Sequence, residues 1–212
     1  MSFVEDWHTG GRFCCSPPSR GLHSSHAALL LRELLLSLLK DRAFSRDSVV
    51  LSSGETSDYY IDSKMVTVCS EGAYLIGEVI YDYTKGVDFN AIGGPGTGAI
   101  PLVTSAVISY RGHCRGKDLE GFWFRGDLKP HGTQKAIEGK LPANARVLIV
   151  DDVVTSGRSV IKAIQPIEKA GAEIVMVLAM VDRLRGAGAE FERRGYGYQT
   201  IFTSRDFGVD VP

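Results

Sequence analysis

Val147-Leu-Ile-Val-Asp-Asp-Val-Val-Thr-Ser-Gly-Arg-Ser159 is the stretch that decides the fold of this chain. Its first four residues, Val147 to Val150, are apolar and predict a buried strand. Asp151 and Asp152 stand at the carboxyl end of that strand, and residues 155–159 lead into a helical pattern. A strand that passes into a helix through small hydroxyl and glycine residues exposes backbone N–H groups, and the helix dipole adds positive potential there. The stretch therefore predicts a phosphate-binding loop.

The carboxylates of Asp151 and Asp152 beside this loop would repel a bare anion. They are explained if the phosphate belongs to a sugar, because two carboxylates accept hydrogen bonds from two neighbouring hydroxyls. The alternative is an ordinary buried strand with two acidic residues at a helix cap, and a lone Asp-Asp pair would favour it. The register of strand, acids and hydroxyl-rich turn favours a sugar phosphate instead.

Length and charge limit the classes of protein and partner. At 212 residues the chain is long enough for one sizeable core. Its net charge of −1 gives no global attraction to nucleic acid or to a membrane surface, so we expect neither as a partner. The leucine-rich stretch 27–39 is too short and too interrupted by charge to span a bilayer. An anion site in this protein must therefore be local.

The cysteines predict the compartment. Cys14, Cys15, Cys69 and Cys114 show neither Cys-x-x-Cys pairing nor histidines at metal-ligand spacing. This pattern is typical of reduced thiols that hold no metal. The first residues do not match the basic start, apolar run and cleavage site of a secretory signal. We therefore expect a cytoplasmic protein.

The N-terminal part of the chain predicts an irregular tail followed by short elements. Residues 1–22 form the tail, because paired glycines and paired prolines break any periodicity there. The predicted elements that follow are a helix from Ser24 or Ser25 to about Ala43, a hairpin-like pair of strands at 49–52 and 59–62, and a helix from Ser70 to about Thr84.

From residue 89 onward, strand and helix patterns alternate. The predicted strands are 89–92, 122–125, 146–150, 174–181 and 198–202, and the predicted helices are 99–110, 159–170 and 187–193. A long polar segment to Lys140 interrupts the alternation. Such alternation is typical of an α/β fold with a parallel sheet. Because ligands bind beyond the carboxyl ends of its strands, we expect residues 93–98, 151–159 and those after Val181 to form the site.

Gly93-Gly-Pro-Gly-Thr-Gly98 follows a predicted strand and opens a helix, so its amides are placed to wrap a diphosphate. It lacks the Gly-Lys-Ser/Thr ending of a P-loop and the spacing of the dinucleotide fingerprint. Alone, such a segment is more typical of a plain glycine-rich turn. Together with Asp151 and Asp152 it predicts the second half of a sugar-diphosphate site.

Residues 147–159 resemble the 5-phosphoribosyl 1-diphosphate (PRPP) motif of the type I phosphoribosyltransferases, which place a diphosphate-binding loop where this chain has residues 93–98. The resemblance implies an α/β fold with a mostly parallel central sheet flanked by helices and a small N-terminal hood. It implies one phosphoribosyltransferase domain over residues 23–212, with the hood at about 23–65 and the core at about 66–212. The PRPP-binding residues that it implies are Gly94, Pro95, Gly96, Thr97, Gly98, Asp151, Asp152, Val153, Val154, Thr155, Ser156, Gly157, Arg158 and Ser159.

Residues 122–139 resemble the mobile loop of the orotate phosphoribosyltransferases, which has the pattern Arg-Lys-x-x-Lys-x-His-Gly. Arg125, Lys129 and His131 match that pattern, whereas Gly126 stands where the family usually has lysine. The alternative for a lysine-rich segment of this kind is a solvated charged loop.

Two further stretches resemble the same family. Residues 50–62 are similar to its N-terminal signature, Leu-Lys/Ser-Ser-Gly followed by Ser-x-Tyr-aromatic, and Val181-Asp-Arg183 is similar to the Asp-Arg whose arginine holds the carboxylate of orotate. Arg183 is the sharpest indication of the base, because a guanidinium binds a carboxylate through two parallel hydrogen bonds. An Asp-Arg pair at a strand end is also a common surface pair. The orotate-binding residues that the resemblance implies are Ser52, Tyr59, Tyr60, Thr155 and Arg183.

The resemblance implies the reaction of orotate with PRPP to give orotidine 5′-monophosphate and diphosphate, in de novo pyrimidine biosynthesis. Asp151 and Asp152 would hold the ribose hydroxyls, and Arg125, Lys129 and His131 would close over the leaving group. The implied cofactor is Mg²⁺, held mainly by PRPP and not by direct protein ligands, with Asp151 or Asp152 contributing through water. A homodimer is also implied, in which loop 121–139 reaches into the neighbouring site.

Gly126 and Ser52, in place of the usual lysines, lead to an alternative hypothesis. It is a catalytically weak PRPP- or nucleotide-binding regulatory paralogue, although residues 1–22 are too short for a helix-turn-helix. A further alternative is a type I phosphoribosyltransferase for another base. Such an enzyme would not need Arg183 or the stretch Tyr59-Tyr60.

Overall fold

Strands and helices alternate along the described part of the chain. The structure is a computed structural model, and it describes residues 25–47, 49–50, 56–126 and 136–210. The strands are Phe44–Ser45 (β1), Val49–Val50 (β2), Thr56–Ser57 (β3), Tyr60–Ile61 (β4), Ala91–Pro95 (β5), Glu120–Phe124 (β6), Ile137–Gly139 (β7), Arg146–Val154 (β8), Glu173–Asp182 (β9) and Tyr198–Thr203 (β10). The helices are Ser25–Arg42 (α1), Lys64–Thr67 (α2), Ser70–Thr84 (α3), Gly96–His113 (α4), Arg158–Lys169 (α5), Ala187–Arg193 (α6) and a final 3₁₀ turn at Ser204–Phe207. None of the helices within these ranges is both long enough and apolar enough to cross a membrane.

The central sheet has six strands in the order β10-β9-β8-β5-β6-β7. Its neighbouring strands are parallel except for β6 and β7, which are antiparallel. This arrangement confirms the predicted mostly parallel α/β sheet. Strand β8 lies in the interior of the sheet, so both of its faces are covered and its apolar residues run without interruption.

Alternate residues of β8 belong to two different apolar clusters. Leu148 and Val150 pack in the cluster that also contains residues of α1, α3, α4 and the hood strands, including Leu35 and Tyr59. Val147 and Ile149 pack in the second cluster, against residues of α5 and α6. Each of these fully buried side chains contributes about 1.5–3 kcal/mol relative to an exposed one. The hood residues therefore share one core with the sheet.

Two strands of the sheet extend further than predicted, and both extensions reach the candidate site. Strand β8 continues past Val150 to Val154, because Asp151 pairs with Ala179 of β9. Strand β5 continues through Gly93 and Gly94 to Pro95, which pairs with Phe124 of β6. The predicted ends at residues 150 and 92 were therefore wrong, as was a start of α4 at residue 99.

The hood hairpin was predicted with the wrong pairing. Tyr60–Ile61 pairs with Phe44–Ser45, a strand that the sequence did not indicate. Val49–Val50 pairs instead with Thr56–Ser57, which was predicted as part of the turn. Two-residue strands carry too little periodicity to be assigned from a pattern. Strand β7 and helix α2 were missed for the same reason.

Candidate functional site

The carboxyl ends of β9, β8 and β5 lie side by side at one edge of the sheet, because these three strands are parallel neighbours. The predicted glycine-rich segment, sugar-phosphate segment and Asp-Arg pair span the carboxyl ends of β5, β8 and β9, respectively. The hood residues 56–63 meet the same edge through hydrogen bonds to β8 and to Arg183, which follows β9. The structure therefore brings together the segments that the sequence predicted as one site.

Asp151 and Asp152 occupy different environments although they are adjacent. Asp151 is buried, and its carboxylate accepts hydrogen bonds from the backbone N–H of Asp152 at 3.1 Å and from Ser159 Oγ at 3.4 Å. Burial, followed by the negative charge of Asp152, raises the pKa of the Asp151 carboxyl well above its usual range. Asp152 is half-buried, and its Oδ2 accepts a hydrogen bond from the hydroxyl of Ser63. Two carboxylates with such different surroundings are suited to different hydroxyls of one sugar.

The loop between β8 and α5, together with the start of that helix, contains the predicted phosphate-binding residues 155–159 and turns at Gly157. Gly157 precedes the helix in a left-handed conformation, with φ 75°, which a residue with a side chain adopts only with strain. A methyl group at Gly157 would also lie 2.8 Å from the ring of Phe191, which packs behind the loop. A residue other than glycine at position 157 would therefore disturb the turn that leads into α5.

The glycine-rich segment is packed tightly against the PRPP motif. A methyl group at Gly94 would lie 1.9 Å from the carbonyl oxygen of Val150, and one at Gly98 would lie 2.6 Å from Asp152 Oδ1. Glycine at both positions allows the start of α4 to approach the carboxylates. The glycine-rich segment 93–98 is therefore in direct contact with the end of β8 and with Asp152.

Arg183 is the most enclosed of the site's cations that the structure describes, with 4% of its surface exposed. Its Nε donates to Tyr59 Oη at 3.0 Å, and its Nη2 donates to Ser57 Oγ at 2.6 Å and to the carbonyl oxygen of Tyr59 at 3.3 Å. The guanidinium also lies over the Tyr59 ring, 4.1 Å from its centre. Among the described residues, none of its hydrogen-bonding partners is a carboxylate. A buried cation with neutral partners is poised to accept an anion.

The backbone around Arg183 is fixed by its neighbours. The N–H of Arg183 donates to the carbonyl oxygen of Val154 at 2.8 Å. The buried carboxylate of Asp182 accepts from the N–H of Leu184 at 2.7 Å and from Tyr198 Oη at 2.8 Å. Burial, followed by the charge of Asp182, raises the pKa of Tyr198, so the phenol stays protonated. These bonds hold the turn that follows β9 in place.

The two tyrosines predicted at the base have different positions. The Tyr59 side chain is 1% exposed, with one ring face against Arg183, so it acts on the site from behind that guanidinium. Tyr60 is 38% exposed, so of the two tyrosines it is the one whose ring has free surface. Thr155, at the end of β8, is half-buried.

Arg125 lies at the other side of the site, after β6. Its Nη1 donates to Glu138 Oε1 of β7 at 3.0 Å. A cavity of about 420 Å³ opens here beside the glycine-rich segment, and it is lined by Gly96, Thr97, Trp123, Arg125 and Glu138. Lys129, His131 and Ser52 lie outside the described residues.

The oxygen donors of the site fit the predicted Mg²⁺. Mg²⁺ prefers one or two carboxylates together with waters and substrate phosphates. Asp152 is the more exposed of the two carboxylates, which leaves it accessible to such an ion or to its water. Within those ranges, no group of three or more His, Cys, Asp or Glu side chains is arranged to hold a metal. Asp151 and Asp152 are the residues that would contact a Mg²⁺ ion bound together with the substrate.

Ser63 and Lys64 were missed from the sequence, and Ser57 was included only as part of the N-terminal signature, without a role. Ser57 and Ser63 contact Arg183 and Asp152 across long sequence separations, and a local pattern does not show such contacts. The hydrogen bond from Lys64 to Asp62 raises the pKa of Lys64, and the charge of Asp152 acts in the same direction. Lys64 therefore adds a positive charge near the carboxylates.

Comparison with known proteins identifies the family that the chain resembles. The phosphoribosyl transferase domain family matches residues 71–199. The chain is 38% identical over 181 residues to an orotate phosphoribosyltransferase of Streptomyces avermitilis, covering 85% of this chain and 98% of that protein. It is 37% identical over 182 residues to the one of Rhodopirellula baltica, covering 83% and 93%. In structure it is similar to the orotate phosphoribosyltransferase of Mycobacterium tuberculosis in complex with PRPP, with TM-score 0.70, 31% identity and coverage of 84% and 99%.

Proposed function

The chain belongs to the orotate phosphoribosyltransferase family, and we propose that it transfers the phosphoribosyl group of PRPP to orotate in pyrimidine biosynthesis. The products are orotidine 5′-monophosphate and diphosphate. The proposal combines a sugar-diphosphate site, built from residues 94–98 and 151–159, with a carboxylate-binding cation at Arg183.

Arg183 is the observation that carries the choice of base. Removing a guanidinium from water is costly unless an anion or several hydrogen bonds compensate. Ser57 and Tyr59 supply neutral partners on Nε and Nη2, so a carboxylate ligand would supply the missing charge. Orotate is a pyrimidine that carries a carboxylate, whereas uracil and the purines carry none. The buried cation therefore favours orotate over those bases.

The chemistry assigned to the carboxylates follows from the charge that develops in the reaction. Breaking the bond from the anomeric carbon to the diphosphate leaves positive charge on the ribose and negative charge on the leaving group. Asp151 and Asp152 would accept hydrogen bonds from the ribose hydroxyls and favour the positive sugar, while residues 155–159 would grip the 5′-phosphate. Tyr60 would wall the base, and Thr155 would contact its polar edge.

The leaving group needs positive charge. Arg125, Lys129 and His131 would supply it from loop 121–139, which would also exclude water from the reactive sugar. Mg²⁺, when bound with PRPP and near Asp151 or Asp152, would neutralise the diphosphate. Ser52 would contribute a hydroxyl beside the base. We further propose that the protein is a homodimer whose loop 121–139 reaches the neighbouring site, and that it acts in the cytoplasm, where Cys69 and Cys114 would stay free thiols.

One assay tests this function. Purified protein is mixed with PRPP, Mg²⁺ and orotate, and the loss of orotate absorbance is followed, with uracil and adenine as parallel acceptors. We expect turnover when orotate is the acceptor, and none with uracil or adenine. Turnover with uracil or adenine and none with orotate would replace the proposal with a phosphoribosyltransferase for another base. Saturable PRPP binding without turnover on any base would replace it with a regulatory, PRPP-binding role.

A further inference from the structure

Ser63 connects the hood to the PRPP motif. It is completely buried, immediately before α2, and its hydroxyl donates to Asp152 Oδ2 across 89 positions of sequence. This is a hydrogen bond between the hood region and a carboxylate that faces the proposed ribose. The contact is therefore at the point where the two parts of the site join.

The hydroxyl of Ser63 does not cap the helix that follows it. Ser63 is the N-cap residue of α2, where a serine hydroxyl commonly accepts a hydrogen bond from a helix N–H. Here the side chain makes no such bond, and only the Ser63 carbonyl oxygen accepts from Val66 and Thr67, at 2.9 and 2.8 Å. The hydroxyl is turned towards Asp152 instead. Capping of the helix therefore does not explain a serine at this position.

Asp152 is enclosed on its other side by Gly98. A methyl group at Gly98 would lie 2.6 Å from Asp152 Oδ1 and 2.7 Å from Oδ2, so the carboxylate lies directly against the start of α4. The Ser63 hydroxyl on Oδ2 and the close approach of Gly98 both restrict the rotation of the Asp152 carboxylate. The residue is only half-buried, so the carboxylate remains open to a ligand.

We propose that Ser63 is a positioning residue that orients the Asp152 carboxylate for a ribose hydroxyl of PRPP. This inference rests on the proposed function, because Asp152 must bind the sugar. Without the Ser63 hydroxyl, the side chain of Asp152 regains rotational freedom and must be ordered again when PRPP binds. Affinity for the sugar falls as a result, while the base half of the site, at Arg183, is unaffected.

The test is a double-mutant cycle in the presence of Mg²⁺. PRPP dissociation constants are measured for wild type, Ser63→Ala, Asp152→Ala and the double variant, because alanine at position 152 leaves no acceptor for the Ser63 hydroxyl. A hydrogen bond to a charged group is typically worth about tenfold or more in an equilibrium constant, so we expect about tenfold weaker PRPP binding by Ser63→Ala. We expect no further weakening when Ser63→Ala is added to Asp152→Ala. An unchanged affinity of Ser63→Ala, or the same loss in both backgrounds, would overturn the proposal.

Ser109→Ala is the matched control. Ser109 is also a buried serine whose hydroxyl donates to a carboxylate, Glu78 Oε1 at 2.9 Å. This contact joins α4 to α3 and involves no residue of the proposed site. Ser109→Ala should leave PRPP binding unchanged. If Ser63→Ala does not fold, Ser63→Cys retains nearly the same volume with a much weaker donor, and it should show the same direction of change. If wild type itself does not bind PRPP, the proposed function fails rather than the role of Ser63.

A second measurement separates positioning from general loss of structure. Ribose 5-phosphate is compared with its 2-deoxy and 3-deoxy forms as competitors of PRPP, and the ratios of their affinities are independent of the fraction of active protein. We expect wild type to prefer ribose 5-phosphate over both deoxy forms, and Ser63→Ala to lose part of its preference over one of them. Unchanged ratios for both deoxy forms, with weaker binding of all three sugars, would show that Ser63 acts only on structure, which would also overturn the proposal.

Discussion

The guanidinium of Arg183 lies over the ring of Tyr59, 4.1 Å from the ring centre, while its Nε donates to the hydroxyl of the same tyrosine at 3.0 Å. Tyr59 thus contacts the cation through both its ring and its hydroxyl. Because both residues are buried, this pair fixes the direction of the guanidinium before any ligand arrives. The proposed orotate carboxylate would meet a preorganised partner, which lowers the entropic cost of binding.

Tyr59→Phe tests that preorganisation. The variant keeps the ring and removes the acceptor of Nε, so one hydrogen bond to a buried charge is lost. We expect the KM for orotate to rise about tenfold and the KM for PRPP to stay the same. Tyr110→Phe is the control, because Tyr110 is an equally buried tyrosine whose hydroxyl bonds to Thr84 far from the site. Equal increases in both KM values would argue against a role specific to the base.

Asp151→Asn should stabilise the protein without ligand and abolish PRPP binding. The folded pKa of Asp151 is raised above its unfolded value of about 3.9. Its contribution to the free energy of unfolding is therefore fully present below about pH 4 and is lost as the pH rises through the folded pKa. Asparagine has no charge to bury, so we expect a higher urea midpoint at pH 7 and no gain at about pH 3.

Asp210→Asn serves as the reference for that experiment, because Asp210 is exposed. Its urea midpoint should match wild type at both pH values. A gain of Asp151→Asn that is equal at pH 3 and pH 7 would mean that packing, and not charge, is responsible.

Gly94→Ala should destabilise the sheet edge that holds the glycine-rich segment. The added methyl group would lie 1.9 Å from the carbonyl oxygen of Val150, so β5 must move away from β8. We expect the free energy of unfolding to fall by about 3 kcal/mol, at the upper end of ordinary overpacking. Gly86→Ala adds a methyl group with nothing within 4 Å and should be neutral. Similar urea midpoints for the two variants would contradict the close approach of the two strands.

Gly126→Lys restores the cation that the mobile-loop pattern has at this position. Gly126 has φ 85°, so a lysine there carries backbone strain of about 1–2 kcal/mol. One preorganised cation at a charge-developing site is worth about 3 kcal/mol, so the gain should exceed the strain. We expect kcat for orotate to rise about tenfold. Gly126→Ala carries the same strain without charge and should show no gain; a rise in both variants would assign the effect to the backbone.

The sequence alone determined the fold class of the protein and which segments meet at the candidate site. The apolar run at 147–150, the acids after it and the hydroxyl-rich turn are local patterns, and local periodicity is what a sequence displays. Alternation of strands and helices then placed residues 93–98, 151–159 and 183 at one sheet edge, and the structure confirms that placement. The residues at that edge were therefore predictable without coordinates.

Tertiary structure alone decided how those residues are held. The ends of β5 and β8 depend on pairing with neighbouring strands, so Asp151 and Gly94 lie within strands and not beyond them. The contact of Tyr59 with Arg183 and that of Ser63 with Asp152 were not predicted. Both contacts join positions far apart in the chain, so they form only when the hood and the sheet pack into one core.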